Sequence, residues 1–231
     1  MFRSLRVPSL VGVVAALLLS IGSAWAAEGG SEFVTLTPAV PTATGDKVEV
    51  VEVFWYGCPH CWHLEPMMNT WVGTLPAGVV FRRMPATGPR WEPHARAYYA
   101  AEALGKLDEF HVALFKAMQV DRRRIFSEDD LVKFAGEIGI NEKAFREAYN
   151  SFTVETKVGK ARDLSARYGI DGVPAVIVNG KYRTSPAQAG SKERLIEVLN
   201  MLVGQEVAAK GLAAATTAPA PVATPAPAVG Y

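Results

Sequence analysis

The sequence predicts an α/β fold in which a single domain is interrupted by a long helical insertion. Two stretches with strand character carry this prediction, residues 48–56 and residues 173–178, both rich in β-branched or aromatic side chains. Between them, apolar residues recur at three- and four-residue steps, a spacing typical of amphipathic helices. Because too few strands lie on either side of the helices to form separate sheets, both sides must contribute to one sheet.

The first half of the chain predicts a strand, a helix and a second strand. Residues 48–56 are Val-Glu-Val-Val-Glu-Val-Phe-Trp-Tyr, a composition that suits a buried central strand. Gly57 interrupts this strand, and Pro59 favours the first position of a helix because its missing N–H would be unpaired there. Gly78 then leads into a short second strand at residues 79–81.

The apolar spacing between the two strand regions predicts five helices, at residues 95–104, 108–118, 131–138, 144–149 and 154–168. Ser127, with Asp130 three residues later, resembles a capping box at the start of one of them. After the insertion, Asn179-Gly180 is a strong hairpin signal between the strand at residues 173–178 and a return strand at residues 181–184. Residues 192–203 predict a last amphipathic helix.

These elements divide the chain into an interrupted domain and two terminal segments. We predict that residues 27–88 and 156–205 form the α/β domain, that residues 89–155 form the helical insertion, and that residues 206–231 form a disordered tail. The tail is rich in Ala and Pro and has no charged side chain after Lys210. Such a segment buries too little apolar surface to offset its ordering entropy.

Residues 1–26 predict a signal peptide. Arg3 and Arg6 precede a short apolar stretch, which is followed by Ala24-Trp25-Ala26, an A-x-A cleavage pattern. The apolar stretch is short for a membrane-spanning helix, and a retained signal anchor is the alternative. We therefore expect cleavage after about Ala26 and a soluble, exported protein.

Composition and charge exclude several classes of protein. With 49% apolar and 20% charged residues, the chain is neither disordered by composition nor a membrane bundle. Loss of Arg3 and Arg6 with the signal peptide takes the formal net charge from +1 to −1, and no basic stripe predicts a nucleic acid partner. The three consecutive arginines at residues 122–124 lie close to acidic residues 128–130, so we interpret them as a solvated loop.

The two cysteines of the chain both lie in Cys58-Pro59-His60-Cys61. A disulfide between them closes so small a loop that it stabilises the fold little, which favours a chemical role. At the start of a helix, unpaired N–H groups and the macrodipole favour negative charge on Cys58, while Cys61 lies about one turn further in. We therefore predict that Cys58 is the nucleophile, that Cys61 is the resolving thiol, and that His60 stabilises the thiolate as a donor or cation.

Three other interpretations of this motif are a metal site, a c-type haem site and an inert structural bridge. His60 and His63 add to the cysteines as potential ligands, but consecutive turns of one helix start cannot surround an ion tetrahedrally. Haem attachment requires His directly after the second Cys, where this chain has Trp62. An inert bridge remains as the structural alternative, although its short loop gains little stability.

Two residues outside the motif are unusual for strands. Glu52 lies in the predicted central strand, where desolvation would raise its pKa and suit a proton carrier for the inner thiol. The alternatives are a position at a sheet edge or a pair with a Lys or Arg from the insertion. In Val173-Pro174, a proline enters a strand pattern, which indicates an edge or a special bond; the local sequence does not select a cis bond.

These features resemble the DsbA family of thiol:disulfide interchange proteins. The resemblance rests on Phe54-Trp55-Tyr56-Gly57-Cys58-Pro59-His60-Cys61, the acid at Glu52, the helical insertion, and Gly172-Val173-Pro174-Ala175 followed by Val178-Asn179-Gly180-Lys181-Tyr182. It covers residues 33–203 in the family's order. It implies a thioredoxin fold interrupted by a helical insertion domain, a cis Pro174 that faces the Cys58–Cys61 disulfide, and a client peptide that lies against the backbone beside Val173.

The resemblance also implies a periplasmic oxidase that donates the Cys58–Cys61 disulfide to reduced, unfolded exported proteins. Its reoxidation would come from a membrane quinone-linked thiol oxidase of the DsbB type. The alternatives are a disulfide reductase or isomerase of the same fold and a peptide-binding chaperone module. His60 and the lack of an added dimerisation segment favour the oxidase, and we expect a monomer with no cofactor besides its redox-active disulfide, no metal and no nucleic acid partner.

Overall fold

One five-stranded sheet is built from strands on both sides of a block of helices, in a computed structural model that describes residues 32–212. The predicted signal peptide, and the predicted tail beyond residue 212, lie outside the described residues. The strands are β1 (Val34–Thr35), β2 (Val48–Phe54), β3 (Val79–Pro85), β4 (Ala175–Val178) and β5 (Tyr182–Thr184). The helices are α1 (Pro59–Val72), α2 (Glu92–Ala103), α3 (Leu107–Gln119), α4 (Glu128–Glu137), α5 (Glu142–Tyr149), α6 (Phe152–Arg167), α7 (Pro186–Ala189) and α8 (Lys192–Ala209).

The sheet has the strand order β1-β5-β4-β2-β3. β2 pairs in parallel with β3 and antiparallel with β4, so it lies inside the sheet, and every residue of β2 is buried. β4 and β5 form the hairpin predicted at residues 179–180. Asn179 and Gly180 both have a positive φ, 50° and 64°, as a tight primed turn requires. The predicted fold class is confirmed.

Side chains on the two faces of β2 contact different cores because successive residues of a strand point to opposite faces. Val48 and Val50 pack with Leu64 of α1 and with apolar residues of α8. Val51 and Val53 belong to the larger core that continues into the helical block. Glu52 shares the strand face of Val48 and Val50, which is the face that packs on α1, and it lies next to Arg83 of β3.

The helical block is organised around α2, which packs against α3, α4, α5 and α6. Its interior is aromatic: the rings of Phe110 and Phe145 are stacked with centroids 5.3 Å apart. Ser127 and Asp130 form the predicted capping box at the start of α4, which satisfies N–H groups that the first helical turn leaves unpaired. No helix within residues 32–212 combines the length and the apolar character needed to cross a bilayer.

Two predicted domain boundaries fall inside helices of the structure. α6 crosses the predicted end of the insertion at residue 155, because Val154, Val158 and Ala161 continue one buried face of the same core. α8 continues to Ala209, so residues 206–209 belong to the fold and not to the predicted tail. Glu206 is buried there and accepts a hydrogen bond from Lys181 Nζ at 2.8 Å, which attaches this last turn to the β4–β5 hairpin.

Candidate active site

Cys58 caps the N-terminus of α1, directly after the central strand. Its backbone is extended (φ −96°, ψ 111°), and its N–H donates to the carbonyl of Trp55 at 3.0 Å. Cys58 Sγ accepts a hydrogen bond from the N–H of Cys61 at 3.2 Å, as an N-cap side chain does. Both cysteines are free thiols in the structure. The sulfur of Cys58 therefore lies where the helix start stabilises a negative charge.

The two thiols differ in exposure and in acidity. Cys58 is 6% exposed, whereas Cys61 is fully buried. The pKa of Cys58 is lowered to about 7, chiefly by a hydrogen bond with the Cys61 thiol; partial burial opposes this effect, and the backbone N–H groups of Cys61 and His60 add to it. Burial is the main reason why the pKa of Cys61 is raised far above its usual range. Near neutral pH, Cys58 is thus the thiol that becomes a thiolate.

A cis proline loop faces the reactive thiol. The Val173–Pro174 peptide bond is cis, as the resemblance implies. Cys58 Sγ lies 3.4 Å from the carbonyl oxygen of Val173, within reach of a hydrogen bond from the protonated thiol. The loop just before β4 therefore presents its backbone to Cys58 from a segment more than a hundred residues away in the chain.

An open groove of about 880 Å³ extends from this loop along the surface. Its lining includes His60, His63, Val173 and Pro174, together with the segment from residue 183 to residue 193. Small residues of the segment before α8 form part of this lining, a composition that suits an extended peptide.

The imidazole of His60 is exposed and lines this groove. The contribution of His60 to the lowered pKa of Cys58 comes through its backbone N–H. Within residues 32–212, no group of three or more His, Cys, Asp or Glu side chains is arranged to hold a metal ion.

Glu52 lies behind the cysteines, in the interior of the protein. It is fully buried, and its Oε2 is 3.2 Å from Arg83 Nε, but neither carboxyl oxygen has a hydrogen bond of good geometry. Burial, together with the negative charge of Glu65, raises the pKa of Glu52 to about 8, and Arg83 opposes this shift. At neutral pH the carboxyl is therefore protonated. Its Arg partner comes from the adjacent strand β3 and not from the insertion.

Glu65, which no sequence motif marks, is hydrogen-bonded to Arg83, whereas Glu52 is not. Arg83 Nε and Nη2 donate to the two oxygens of Glu65 at 3.2 and 3.1 Å. Burial opposes the ionisation of Glu65, but hydrogen bonds from His111 and Arg83 outweigh it and lower its pKa. One guanidinium thus faces two carboxyl groups, and the charges balance when Glu65 is ionised and Glu52 is protonated.

His111 extends this network to the strand end. Because a carboxylate only accepts, Nε2 of His111 carries the proton and donates to Glu65 Oε1 at 3.3 Å. Nδ1 then accepts from the hydroxyl of Tyr56 at 2.9 Å. Burial lowers the pKa of His111, which agrees with this neutral tautomer. A buried chain of polar side chains therefore leads from the active-site loop to the carboxyl pair.

The helical block also holds the active-site loop directly. Trp55 Nε1 donates to Nδ1 of buried His94 at 2.8 Å, and the Trp55 ring stacks on Trp91. Gln119 Nε2 donates to the carbonyl of Tyr56 at 2.6 Å. These bonds join helices of the insertion to the residues just before Cys58, so the insertion positions the nucleophile.

The structure brings together Cys58, His60, Val173 and Pro174 at one surface, and it places Cys61 and Glu52 in the interior behind them. It adds buried or half-buried residues to which the sequence gave no role: Arg83, Glu65, His111, His94 and Gln119, together with Trp55 and Tyr56 of the motif before Cys58. One signal for Glu65 was present, because it follows Cys61 by four residues and so shares its face of the helix. The partners from the insertion carried no such local signal.

Comparisons with known proteins show which family this chain resembles. A family model described as a DSBA-like thioredoxin domain matches residues 77–193. The thiol:disulfide interchange protein DsbA of Pseudomonas syringae pv. tomato is 36% identical over 208 residues, which cover 90% of this chain and 97% of that protein. The protein of the same name from Azotobacter vinelandii is 41% identical over 182 residues, covering 78% of this chain and 85% of that protein. The crystal structure of Pseudomonas aeruginosa DsbA is similar with a TM-score of 0.75 and 36% identity, covering 78% of this chain and 95% of that chain.

Proposed function

This chain belongs to the DsbA family of thiol:disulfide oxidoreductases, and we propose that it oxidises reduced exported proteins by donating the Cys58–Cys61 disulfide to them. One observation supports disulfide exchange at Cys58 above all others. Cys58 Sγ accepts the N–H of Cys61 at the start of α1, and its pKa is lowered to about 7. A thiolate that is stabilised in the reduced protein makes the disulfide a better oxidant.

Disulfide transfer takes two exchange steps. A client thiolate attacks Cys58 Sγ of the oxidised protein, which breaks the Cys58–Cys61 bond and releases Cys61 as a thiolate that takes up a proton. A second client thiolate then attacks the client sulfur of the mixed disulfide and expels Cys58 as a thiolate. The client loses two electrons and gains a disulfide, and this protein keeps the two electrons as a dithiol.

Glu52 suits the role of proton donor in the first step. Cys61 leaves as a thiolate in a buried position where its negative charge is strongly disfavoured. The charge of an ionised Glu52 would disfavour it further, whereas the carboxyl with its pKa near 8 holds a proton at neutral pH. We propose that this proton passes to Cys61 as the disulfide opens, and that burial and the negative charge of Glu65 keep Glu52 protonated beforehand.

The groove beside Pro174 is the proposed site for the client. The client cysteine must approach Cys58 Sγ, which lies 3.4 Å from the carbonyl of Val173. An extended client chain across this position runs along the groove and meets its backbone groups. Main-chain recognition fits a protein that oxidises clients of many sequences.

Repeated turnover requires an oxidant for the dithiol and a compartment that tolerates disulfides. We propose the periplasm as that compartment, reached by the signal peptide at residues 1–26, and a quinone-linked membrane thiol oxidase of the DsbB type as the oxidant. Mass spectrometry of protein from the periplasmic fraction tests the first point, because cleavage after Ala26 leaves an N-terminus at Ala27. A full-length protein confined to the cytoplasm would contradict it.

The function is tested with oxidised protein and a reduced peptide that contains two cysteines. We expect the peptide to lose two hydrogens by mass spectrometry while the protein gains two titratable thiols. In a second arm, the reduced Cys61→Ala variant is mixed with the oxidised peptide. Its Cys58 thiolate attacks the peptide disulfide and releases one peptide thiolate, and the mixed disulfide should accumulate because no Cys61 thiol resolves it, whereas Cys58→Ala should form none. Equilibration with glutathione then measures the direction, and a dithiol that glutathione disulfide oxidises as readily as an ordinary thiol pair would contradict the oxidase.

A further inference from the structure

A second cavity, of about 640 Å³, opens beside Cys58. Gly57 and Pro59, the two chain neighbours of Cys58, form part of its wall, and it shares no lining residue with the groove at Pro174. Four exposed arginines also line it: Arg90, Arg122, Arg123 and Arg124. We call this cavity the arginine pocket.

Three of these arginines have no partner of their own. Among the arginines of residues 32–212, only Arg90, Arg122, Arg124 and Arg167 have neither an ion pair nor a side-chain hydrogen bond, and the first three line the arginine pocket. Arg123 differs from them, because its guanidinium pairs with Glu137 at 2.6 Å. Three of the four unpaired arginines among the described residues thus line one cavity.

Tertiary structure creates this concentration. Arg90 precedes α2, whereas Arg122 and Arg124 follow α3, and the fold brings the two segments to the same cavity. No carboxylate lines it. Arg122 also has a φ of 56°, a left-handed conformation that is uncommon for a residue with a Cβ. Like charges held close together repel each other, so an anion that enters the cavity gains from all three.

We propose that the arginine pocket binds an acidic segment of the client protein, next to the client cysteine that reacts with Cys58. This inference rests on the proposed function and adds a preference among clients. A client cysteine that reaches Cys58 places its chain neighbours within reach of the walls at Gly57 and Pro59. The planar guanidinium offers paired N–H donors that match a carboxylate, so Asp and Glu are the side chains that the pocket suits.

The shape of the cavity favours a polypeptide over a membrane surface. The arginines stand at a concavity whose lining includes Pro93, Met118 and Phe126 as well as the neighbours of the reactive thiol. An extended chain can place carboxylates at the arginines and aliphatic stems against this apolar lining, whereas a flat layer of anionic lipid contacts only the exposed rim.

The test compares reduced two-cysteine peptides that differ only beside one cysteine. One peptide has three Asp before that cysteine, a second has three Asp after it, and a neutral peptide has Asn in both places. The wild-type protein and the triple variant R90Q/R122Q/R124Q oxidise each peptide at low salt, and stopped-flow tryptophan fluorescence gives the rates. Dividing the wild-type rate by the variant rate cancels the effect of Asp on the reactivity of the peptide thiol itself.

We expect the triple variant to lose about tenfold in rate with one of the acidic peptides and less than about twofold with the neutral peptide. Salt at about 0.5 M should reduce the tenfold effect to about twofold, because the Debye length is then only about 4 Å. The control triple variant K133Q/K160Q/R167Q removes the same charge at exposed positions outside the arginine pocket, and it should keep the wild-type preference.

Three outcomes would overturn the inference. Equal losses in both triple variants would assign the effect to net charge, and unchanged rates in the R90Q/R122Q/R124Q variant would show that no acidic segment binds there. Weaker binding of this variant to phosphatidylglycerol vesicles, with unchanged peptide rates, would identify a membrane-facing surface. If the wild-type protein failed to oxidise even the neutral peptide, the proposed function itself would be wrong.

Discussion

Lowering the pH from about 8.5 to about 6 should remove stability from the reduced protein that the oxidised protein never had. The cause is the Cys58 thiolate, which exists only in the reduced form. Its pKa is lowered to about 7 in the folded protein, whereas a thiol in an unfolded chain has a pKa of about 8.5. A lowered pKa stabilises the fold fully above the unfolded value, and this stabilisation is lost as the pH falls through the folded value.

The size of the effect follows from these two values. A difference of about 1.5 pKa units corresponds to about 2 kcal/mol at high pH, and to about 1.6 kcal/mol at pH 8.5, where the unfolded thiol is half ionised. Cys58 lies at the mouth of an open groove, where solvent screens its charge, so we expect about 1 kcal/mol to be observed. The raised pKa of Cys61 acts in the opposite direction as the pH approaches and exceeds about 8.5, which sets the upper limit of the useful range.

The assay is denaturant unfolding of the reduced and oxidised proteins at several pH values between 6 and 8.5, followed by tryptophan fluorescence. The free energy of the reduced form minus that of the oxidised form should rise by about 1 kcal/mol across this range. Other titrating groups are present in both forms and cancel to first order, except Glu52, whose charge acts on Cys61. Reduced Cys58→Ser lacks the thiolate and should show no such rise.

A difference that stays flat, or that falls as the pH rises, would refute the assignment of the stabilising charge to Cys58. A rise of the same size in Cys58→Ser would refute it as well, because another group would then carry the effect. If the rise persists in Glu52→Gln, then Glu52, whose charge affects the pKa of Cys61, is excluded as the source of the pH dependence.

Three further predictions concern single side chains. Cys61→Ala should raise the pKa of Cys58 more than His60→Ala does, as measured by thiolate absorbance near 240 nm. The hydrogen bond with the Cys61 thiol is the largest cause of the lowered pKa, whereas the His60 contribution comes through its backbone. Cys61→Ser keeps a hydrogen-bond donor, so its effect should fall between the two. Glu65→Gln should lower the pKa of Glu52 from about 8, followed by the infrared band of the protonated carboxyl, since it removes the competing charge beside Arg83; an unchanged band would contradict the shared pair. Trp55→Phe keeps an aromatic ring on Trp91 but leaves Nδ1 of His94 unpaired, and should cost about 1–2 kcal/mol in denaturant unfolding, whereas an unchanged midpoint would show that water replaces the bond.

The sequence by itself determined the elements whose signals are local. The β-branched run that contains Glu52, the turn at Gly57 and the cap chemistry of Cys58-Pro59 are each properties of a few neighbouring residues. The same holds for the capping box at Ser127 and the hairpin at Asn179. The resemblance to the DsbA family also rests on short motifs, and it could be recognised before any contact was known.

Local signals were weaker where elements are short or where a boundary depends on packing. β1 has two residues and α7 has four, too few for a periodic pattern to show. α8 extends to Ala209, six residues beyond the predicted end of this helix at residue 203. Glu206 remains in the fold through its bonds to Lys181, a contact that the sequence of the helix does not encode.

Only the tertiary structure decided the chemistry around the cysteines. The register of β2 and β3 places Glu52 opposite Arg83, and the packing of α1 brings Glu65 to the same guanidinium, so that one carboxyl is ionised and the other is protonated. The cis bond before Pro174 is similar, because cis and trans X–Pro bonds differ by only about 0.5–1 kcal/mol in a free chain and the surrounding fold selects one. Desolvation and charge pairing depend on what surrounds a side chain in space, and those surroundings come from segments that are distant in the sequence.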